Sequence, residues 1–505
     1  MKISQRKNSL GGNYMDKKPH IVIIMADQLR YDVLGKGFTP TIDNLARESV
    51  VFENAYTASA LCVPARGAFF TGTYPCENGC LLNSGSLDAY VTKPLKSLYE
   101  LLENDWDSWH SGKQHYRTYP ISIENRDENK TNFITLTKTY HEYLKENKIP
   151  APGGPAYRGI CPETATDKHH TTKTYSLPTT GCYEGGFDAY FDGYFAKGAV
   201  EAIQRRNRDK PLLLNAMFLA PHPPFDIPEP YYSLVDYNDF ELPENVGNWY
   251  DGQSPLQLYH LPGFWGTKYT KDEWREIWRV YLGLVSLLDR CVQMIIDELK
   301  AQDIYDDTLI IFSSDHGEML GSHRLWQKMC LYEESIKIPL MFKFPKKEGI
   351  APRRLKDYVS AVDVFPTICD FIQYDPGHEM SGASLMETIR HDKEPKNRAV
   401  FSQYDGNKSL ANAQRCIIEK GYKLIISMFG DLKYLELYNL EQDPQETENL
   451  ILLEKDLSIA EDLLKNLICH MKETNDIYEF DEDLIKQFLQ NVDEANPSIP
   501  LTEII

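Results

Sequence analysis

Three apolar runs constrain this chain more than any other feature: His20-Ile21-Val22-Ile23-Ile24-Met25-Ala26, Leu212-Leu213-Leu214-Asn215-Ala216-Met217-Phe218 and Thr308-Leu309-Ile310-Ile311-Phe312. None alternates polar with apolar residues. An unbroken apolar stretch of strand length belongs in a strand covered on both faces, which occurs where helices flank a largely parallel sheet. The runs therefore predict an α/β fold. Each is followed by chemistry: Asp27-Gln28 after the first, Ala220-Pro221-His222-Pro223-Pro224 after the second, Ser313-Ser314-Asp315-His316-Gly317-Glu318 after the third. Ligands of open α/β sheets collect at the carboxyl ends of strands. Taken singly, Asp27 also reads as a turn cap and His222 as a loop histidine held rigid by its prolines.

A fourth stretch, Cys62-Val63-Pro64-Ala65-Arg66 running to Thr71-Gly72, reads as the start of a helix, because the locked φ of Pro64 suits a first helical turn. Cys62 would then sit at the positive end of a helix dipole, where anions bind, with the non-titrating fork of Arg66 beside it. On its own, a lone cysteine here reads more readily as a buried structural residue, packed as a small hydrophobe. Further on, Gly112-Lys113-Gln114-His115 places Lys113 and His115 on alternate positions of an extended segment, facing one side. Alone, such a pair, or Lys328 in Trp326-Gln327-Lys328, is ordinary surface charge.

Between these points, Thr270-Lys271-Asp272-Glu273 is a capping box. It opens a helix whose apolar residues Trp274, Ile277, Trp278, Tyr281, Leu284, Leu288, Val292, Ile295 and Leu299 face the core and need no other role. Residues 118–190, rich in Thr, Tyr, Pro and Gly, read as an insertion over the pocket. From about Pro395 the pattern shifts to short strands such as Tyr422–Ile426, then a helix near Leu453–Met471 and an acidic end with Glu479, Asp481, Glu482 and Asp483. We divide the 505 residues into a disordered leader (1–18), a catalytic domain (19–394) and a C-terminal α+β subdomain (395–505). With Lys+Arg 54 against Asp+Glu 74 the net charge is −20, which argues against nucleic acid or an anionic membrane as partner, so an anionic substrate needs a local basic pocket. No run is apolar enough to span a bilayer and residues 1–18 hold no signal-type segment, so the expectation is a cytoplasmic protein. Its ten cysteines are then expected to be reduced, Cys76 and Cys80 being the one pair close in sequence.

From about Pro19 to Asn449 these motifs, in this order, resemble the type I sulfatases, whose Cys-x-Pro-x-Arg cysteine is converted to formylglycine. The resemblance implies an alkaline-phosphatase-like mixed central sheet flanked by helices, with a smaller C-terminal antiparallel sheet plus helix. It implies a divalent metal, Ca²⁺ first with Mn²⁺ or Mg²⁺ as alternatives, on Asp27, Gln28, matured Cys62, Asp315 and His316. Gln28 stands where a second Asp is commoner, and His316 where most members have Asn. Catalytic roles carry over to Cys62, Arg66, Lys113, His115, His222 and Lys328. Arg66, Lys113 and Lys328 would hold sulfate oxygens, His222 would protonate the leaving alcohol, and His115 would help release sulfate from the second hydroxyl of the formylglycine hydrate. The Asp-Gln with Asp-His pattern is that of choline sulfatases, sugar and uronate 2-O-sulfatases and, in part, phosphonate monoester hydrolases. Arg117, His169, His170, Lys173, His323 and Arg324 form a basic set suited to an anionic sugar, with Arg117, His169, His170 and His323 as expected substrate contacts. The expected activity is hydrolysis of a sulfate monoester on a carbohydrate. The alternatives are phosphonate monoester or phosphodiester hydrolysis, choline sulfate hydrolysis, and a non-catalytic sugar-binding relative. A formylglycine-generating maturase is the implied protein partner.

Overall fold

The computed structural model describes residues 18–154, 157–164, 170–259, 261–391 and 398–491. Its centre is the first apolar run, β1 (His20–Asp27), every residue of which is buried. The chain order continues with β2 (Val50–Tyr56), β3 (Asp107–Gly112), β4 (Asn132–Thr135), β5 (Arg158–Thr164), β6 (His170–Ser176), β7 (Thr180–Cys182) and β8 (Leu212–Pro221). Then come β9 (Phe225–Ile227), β10 (Thr308–Ser314), β11 (Leu340–Lys343) and β12 (Arg353–Ser360). Among the described residues the large sheet has eight strands in the order β12-β2-β11-β10-β1-β8-β3-β4. β11 runs antiparallel to β10 and β2, whereas the other neighbours are parallel, so the sheet is mixed.

The period-2 geometry of β1 explains why its run is apolar throughout. Val22, Ile24 and Ala26 join one core cluster with the Phe191–Arg205 and Lys271–Ala301 helices. Ile21, Ile23 and Met25 join another with the Cys62–Thr71 and Val364–Ile372 helices. Each fully buried aliphatic side chain stabilises by about 1.5–3 kcal/mol, and no position on this strand can turn polar cheaply. A third cluster lies under the C-terminal sheet of β13 (Val400–Tyr404), β14 (Gln414–Glu419), β15 (Tyr422–Phe429) and β16 (Leu432–Asn439), antiparallel throughout and backed by the Leu457–Glu473 helix.

Several expectations shift. The second apolar run does not stop at Phe218; β8 continues to Pro221, with a register irregularity against β1 between Met25 and Asp27. Part of the expected insertion, Asn132–Thr135, is the edge strand of the main sheet, and β5 pairs with β6 as a hairpin. The C-terminal strand reaches Phe429, and the following helix starts at Leu457 rather than near Leu453. The Thr270 capping box forms as read, with the hydroxyl accepting from the Glu273 N–H. All ten cysteines are described and none forms a disulfide, so Cys76 and Cys80 do not pair. The expected leader lies outside the described residues apart from Lys18. Among the described residues no helix is long and apolar enough to cross a membrane.

Candidate active site

Cys62 is the first residue of its helix and is buried. No side chain at the preceding position caps the helix; instead the Val63 N–H donates to Asn83 Oδ1 at 3.0 Å, a cap supplied from another segment. The parallel pairs β1/β10 and β1/β8 bring the ends of these strands together, so Asp27, Asp315 and His316 surround the thiol. One ligand atom from each of Asp27, Cys62, Asp315 and His316 lies within 4.8 Å of the others. His316 Nε2 is 3.1 Å from Cys62 Sγ and Asp27 Oδ1 is 3.7 Å from it. His316 Nδ1 lies 2.9 Å from the Gly317 carbonyl. A carbonyl only accepts, so Nδ1 carries a proton and Nε2 is the nitrogen turned toward the thiol, the orientation of a metal-binding imidazole.

Arg66 holds this cluster together. Its Nε donates to Asp315 Oδ2 at 3.0 Å, Nη2 to Asp27 Oδ2 at 3.1 Å and Nη1 to the Lys113 carbonyl at 2.6 Å. Only 1% exposed, it clamps the two carboxylates, whereas the sequence reading had it holding substrate oxygens. Lys113 Nζ lies 2.5 Å from Asp27 Oδ2 and 3.9 Å from Cys62 Sγ, while Lys328 Nζ donates to Gln28 Oε1 at 2.6 Å. Gln28 has left-handed backbone (φ 70°), its N–H donates to Asp315 Oδ1, and its side-chain amide donates to Glu318.

Burial pushes the Asp27 carboxyl up, but Lys113, His222 and Arg66 outweigh it and hold it well below the ordinary range. The Cys62 thiol is pushed up by burial and by Asp27, yet Lys113, Lys328 and His316 bring it below its ordinary value. His222 and His115 are both held well below the usual imidazole range, by burial first and then by Lys113, joined by Lys328 for His222 and Arg117 for His115. His222 Nδ1 lies 2.5 Å from the Pro223 carbonyl, so it too is the protonated nitrogen, leaving Nε2 free. The buried Nδ1 of His115 has no hydrogen-bond partner among the described residues.

The structure thus brings Asp27, Gln28, Cys62, Arg66, Lys113, Asp315, His316 and Lys328 into one contact network, with His222 and His115 in its field. His323 stands apart. It is fully buried, its ring stacked 4.2 Å from that of Tyr332, and so has no surface to offer a substrate. Arg324 donates to the Thr267 carbonyl. Arg117 is half-buried and donates through Nη1 to the Asn83 carbonyl. His169 lies outside the described residues, and for His170 and Lys173 only their place in β6 is described. Three residues escaped the sequence reading. Glu318 holds the Gln28 amide; Asp192 accepts from the Leu219 and Ala220 N–H groups at 2.6 and 3.1 Å, just before His222; Tyr281 donates its hydroxyl to the Gln28 carbonyl and accepts from the Arg30 N–H. Tyr281, expected only to pack, therefore also pins the turn that carries Gln28. Glu318 was at least visible beside Asp315-His316; Asp192 carried no local signal.

Comparisons with known proteins give a family match and several similar folds. A family model described as Sulfatase matches residues 19–374, and one described as N-sulphoglucosamine sulphohydrolase, C-terminal, matches residues 321–473. The chain is similar to a choline-sulfatase of Rhizobium meliloti (strain 1021), 28% identical over 458 residues that span 86% of this chain and 82% of that one. Its fold is similar to that of the phosphonate monoester hydrolase of Agrobacterium radiobacter, with TM-score 0.71, 23% identity and coverage of 89% and 95% of the two chains. A structure titled as a 2-O GAG sulfatase superposes with TM-score 0.69 at 21% identity, over 91% of this chain and 93% of that one.

Proposed function

The chain belongs to the sulfatase family of sulfuric ester hydrolases, and on that premise we propose that it cleaves a sulfate monoester of a carbohydrate. In this reading Cys62 is matured to formylglycine and a divalent cation is held by Asp27, Gln28, Asp315 and His316. The observation that carries it is the thiol itself, at a helix N-terminus, 3.1 Å from an imidazole nitrogen and 3.9 Å from a lysine ammonium, beside two carboxylates clamped by one arginine. A structural cysteine needs none of this charge. The donor set suits a divalent cation: two carboxylates and an amide oxygen are hard ligands, and the backbone-anchored imidazole is oriented as metal-binding histidines are. Bound there, the cation supplies Lewis acidity and neutralises charge on the sulfuryl oxygens. Formylglycine supplies, as its hydrate, two hydroxyls on one carbon, one to take up the sulfuryl group and one to release it.

The protein's own side chains do the rest. Lys113 and Lys328, whose charges both act on Cys62, present ammonium groups to hold the sulfate oxygens, and Arg66 keeps Asp27 and Asp315 in place. Charge stabilisation of this kind contributes roughly 3 kcal/mol per donor. His222 Nε2 delivers a proton to the departing oxygen. The lysine charges that depress its proton affinity are offset when an anionic ester docks, so substrate binding itself favours the protonated form. His115 accepts a proton during release of sulfate.

Peptide mass spectrometry across residues 62–66, on protein made with and without a formylglycine-generating maturase, tests the reading beside activity on sugar sulfates, choline sulfate and an aryl phosphonate. Turnover should follow the formylglycine fraction, and Cys62→Ala should fold without turning over. Full activity from protein whose Cys62 alkylates quantitatively would overturn the mechanism. An aryl phosphonate cleaved faster than every sulfate would replace a sulfate ester by a phosphonate as the substrate.

A further inference from the structure

Beside the sulfate-binding lysine lies a cavity of about 470 Å³, walled by Lys113, His115, Arg117, Glu124, Thr137 and Tyr90. That volume is in the range of small-molecule sites and exceeds what one sugar ring fills. Apart from Tyr90, its walls come from the segment that follows β3 and from the end of β4, on the rim of the sheet where Cys62 sits. Lys113 commits its ammonium to Asp27, so Arg117 and Glu124 are the wall's remaining charged side chains, in a chain whose net charge is −20. A guanidinium on the wall gives an anion a local partner in an otherwise acidic protein.

Arg117 is the wall residue with capacity to spare. One Nη1 donor goes to the Asn83 carbonyl, which fixes the guanidinium in place, and among the described residues its other donors carry no hydrogen bond or ion pair. Glu124 accepts from the Thr135 hydroxyl at 3.2 Å and keeps further acceptor positions for sugar hydroxyls. An anchored guanidinium with free donors matches a planar carboxylate or a sulfate bidentately and repels a quaternary ammonium group. We infer that this cavity receives the leaving-group half of the substrate, and that Arg117 selects esters whose sugar carries a second anion, a carboxylate or a second sulfate. The inference rests on the sulfate ester reading above and narrows its substrate class.

The test uses matured full-length enzyme and four esters: a neutral pyranose sulfate, the matching uronate sulfate, the matching disulfate, and choline sulfate. The wild type should favour at least one doubly anionic sugar over the neutral one by about 10- to 100-fold in kcat/KM, the scale of a charge-assisted bidentate contact. Arg117→Ala should collapse that ratio to within about threefold, and Arg117→Lys should restore part of it. The uronate and disulfate arms tell which anion is read. A measurement without any variant backs this up: the desulfated uronate should inhibit the wild type more strongly than the neutral sugar. A ratio near one in the wild type, choline sulfate as the best ester, or equal losses on charged and neutral sugars in Arg117→Ala would overturn the inference. An enzyme that turns over no sulfate at all would instead sink the reading beneath it.

Discussion

At the scale of single residues, His222, the proposed proton donor, owes its placement to a carboxylate thirty positions earlier in the chain. At the irregularity between β1 and β8, the Leu219 and Ala220 N–H groups leave the ladder and both turn to the Asp192 carboxylate, which is fully buried. Burial pushes that carboxyl up to about 7 despite its two backbone donors. The Leu219 carbonyl in turn accepts from the His222 N–H at 2.8 Å, so Asp192 sets the loop from which His222 projects. Asp192→Ala should lower kcat on alkyl or sugar sulfates by about 10- to 100-fold, part of what general-acid catalysis contributes, while aryl sulfates lose less because a phenol departs without a proton. In a His222→Ala background the same substitution should cost nothing more on the alkyl esters. Additive losses across that double-mutant cycle would reduce Asp192 to a purely structural role.

At the scale of elements, the sharpest constraint is where β3 hands the chain to Lys113. Gly112 has φ +130°, and a Cβ there would lie 1.9 Å from the carbonyl oxygen of Met217, its partner on β8. No side chain fits without moving one strand off the other. Gly112→Ala should therefore lower stability by about 2–4 kcal/mol in denaturant titration and displace Lys113 from Asp27, with activity falling further than stability explains. An unchanged unfolding midpoint would show that the strands can separate freely. Strands covered on both faces and the long capped helix were legible because one local pattern specifies each. β4 was not: Asn132-Phe133-Ile134-Thr135 is too short to show a period, and it becomes a strand only because the edge of β3 is there to pair with it.

At the scale of the whole molecule, the C-terminal sheet docks through buried charge. Lys423 is fully buried, 2.8 Å from Glu333 and 2.7 Å from Glu446, and Glu436 accepts from the hydroxyls of Tyr332 and Tyr438 and from the Ser254 N–H. Burial nevertheless pushes the Glu436 carboxyl up to about 7, and Glu446 moves the same way against the pull of Lys423. A carboxyl that holds its proton more tightly folded than unfolded adds stability below the unfolded value of 4.5, and that share is lost as pH rises through the folded value. For Glu436 the share is on the order of 3 kcal/mol. Glu436→Gln, which keeps the shape of the neutral acid, should therefore gain stability relative to the wild type as pH rises from about 5 to about 8. A difference in melting temperature that stays flat across that interval would contradict the shift.

By itself the sequence determined the α/β class, three buried strands, the helix that presents Cys62, and the residue types that meet at the strand ends. Each of those follows from local periodicity, from a proline or capping box, or from a motif whose members lie close together in the chain. Only the tertiary structure decided which charges face which. Arg66 grips the carboxylates of Asp27 and Asp315, 39 and 249 positions away, and Asp192 and Tyr281 hold turns they are far from in sequence. His323, a promising loop histidine beside Arg324, is walled in by aromatic rings. The reason is physical: strand register and helix packing set the distances between remote side chains, and the interaction of buried charges depends on those distances rather than on the residues' order in the chain.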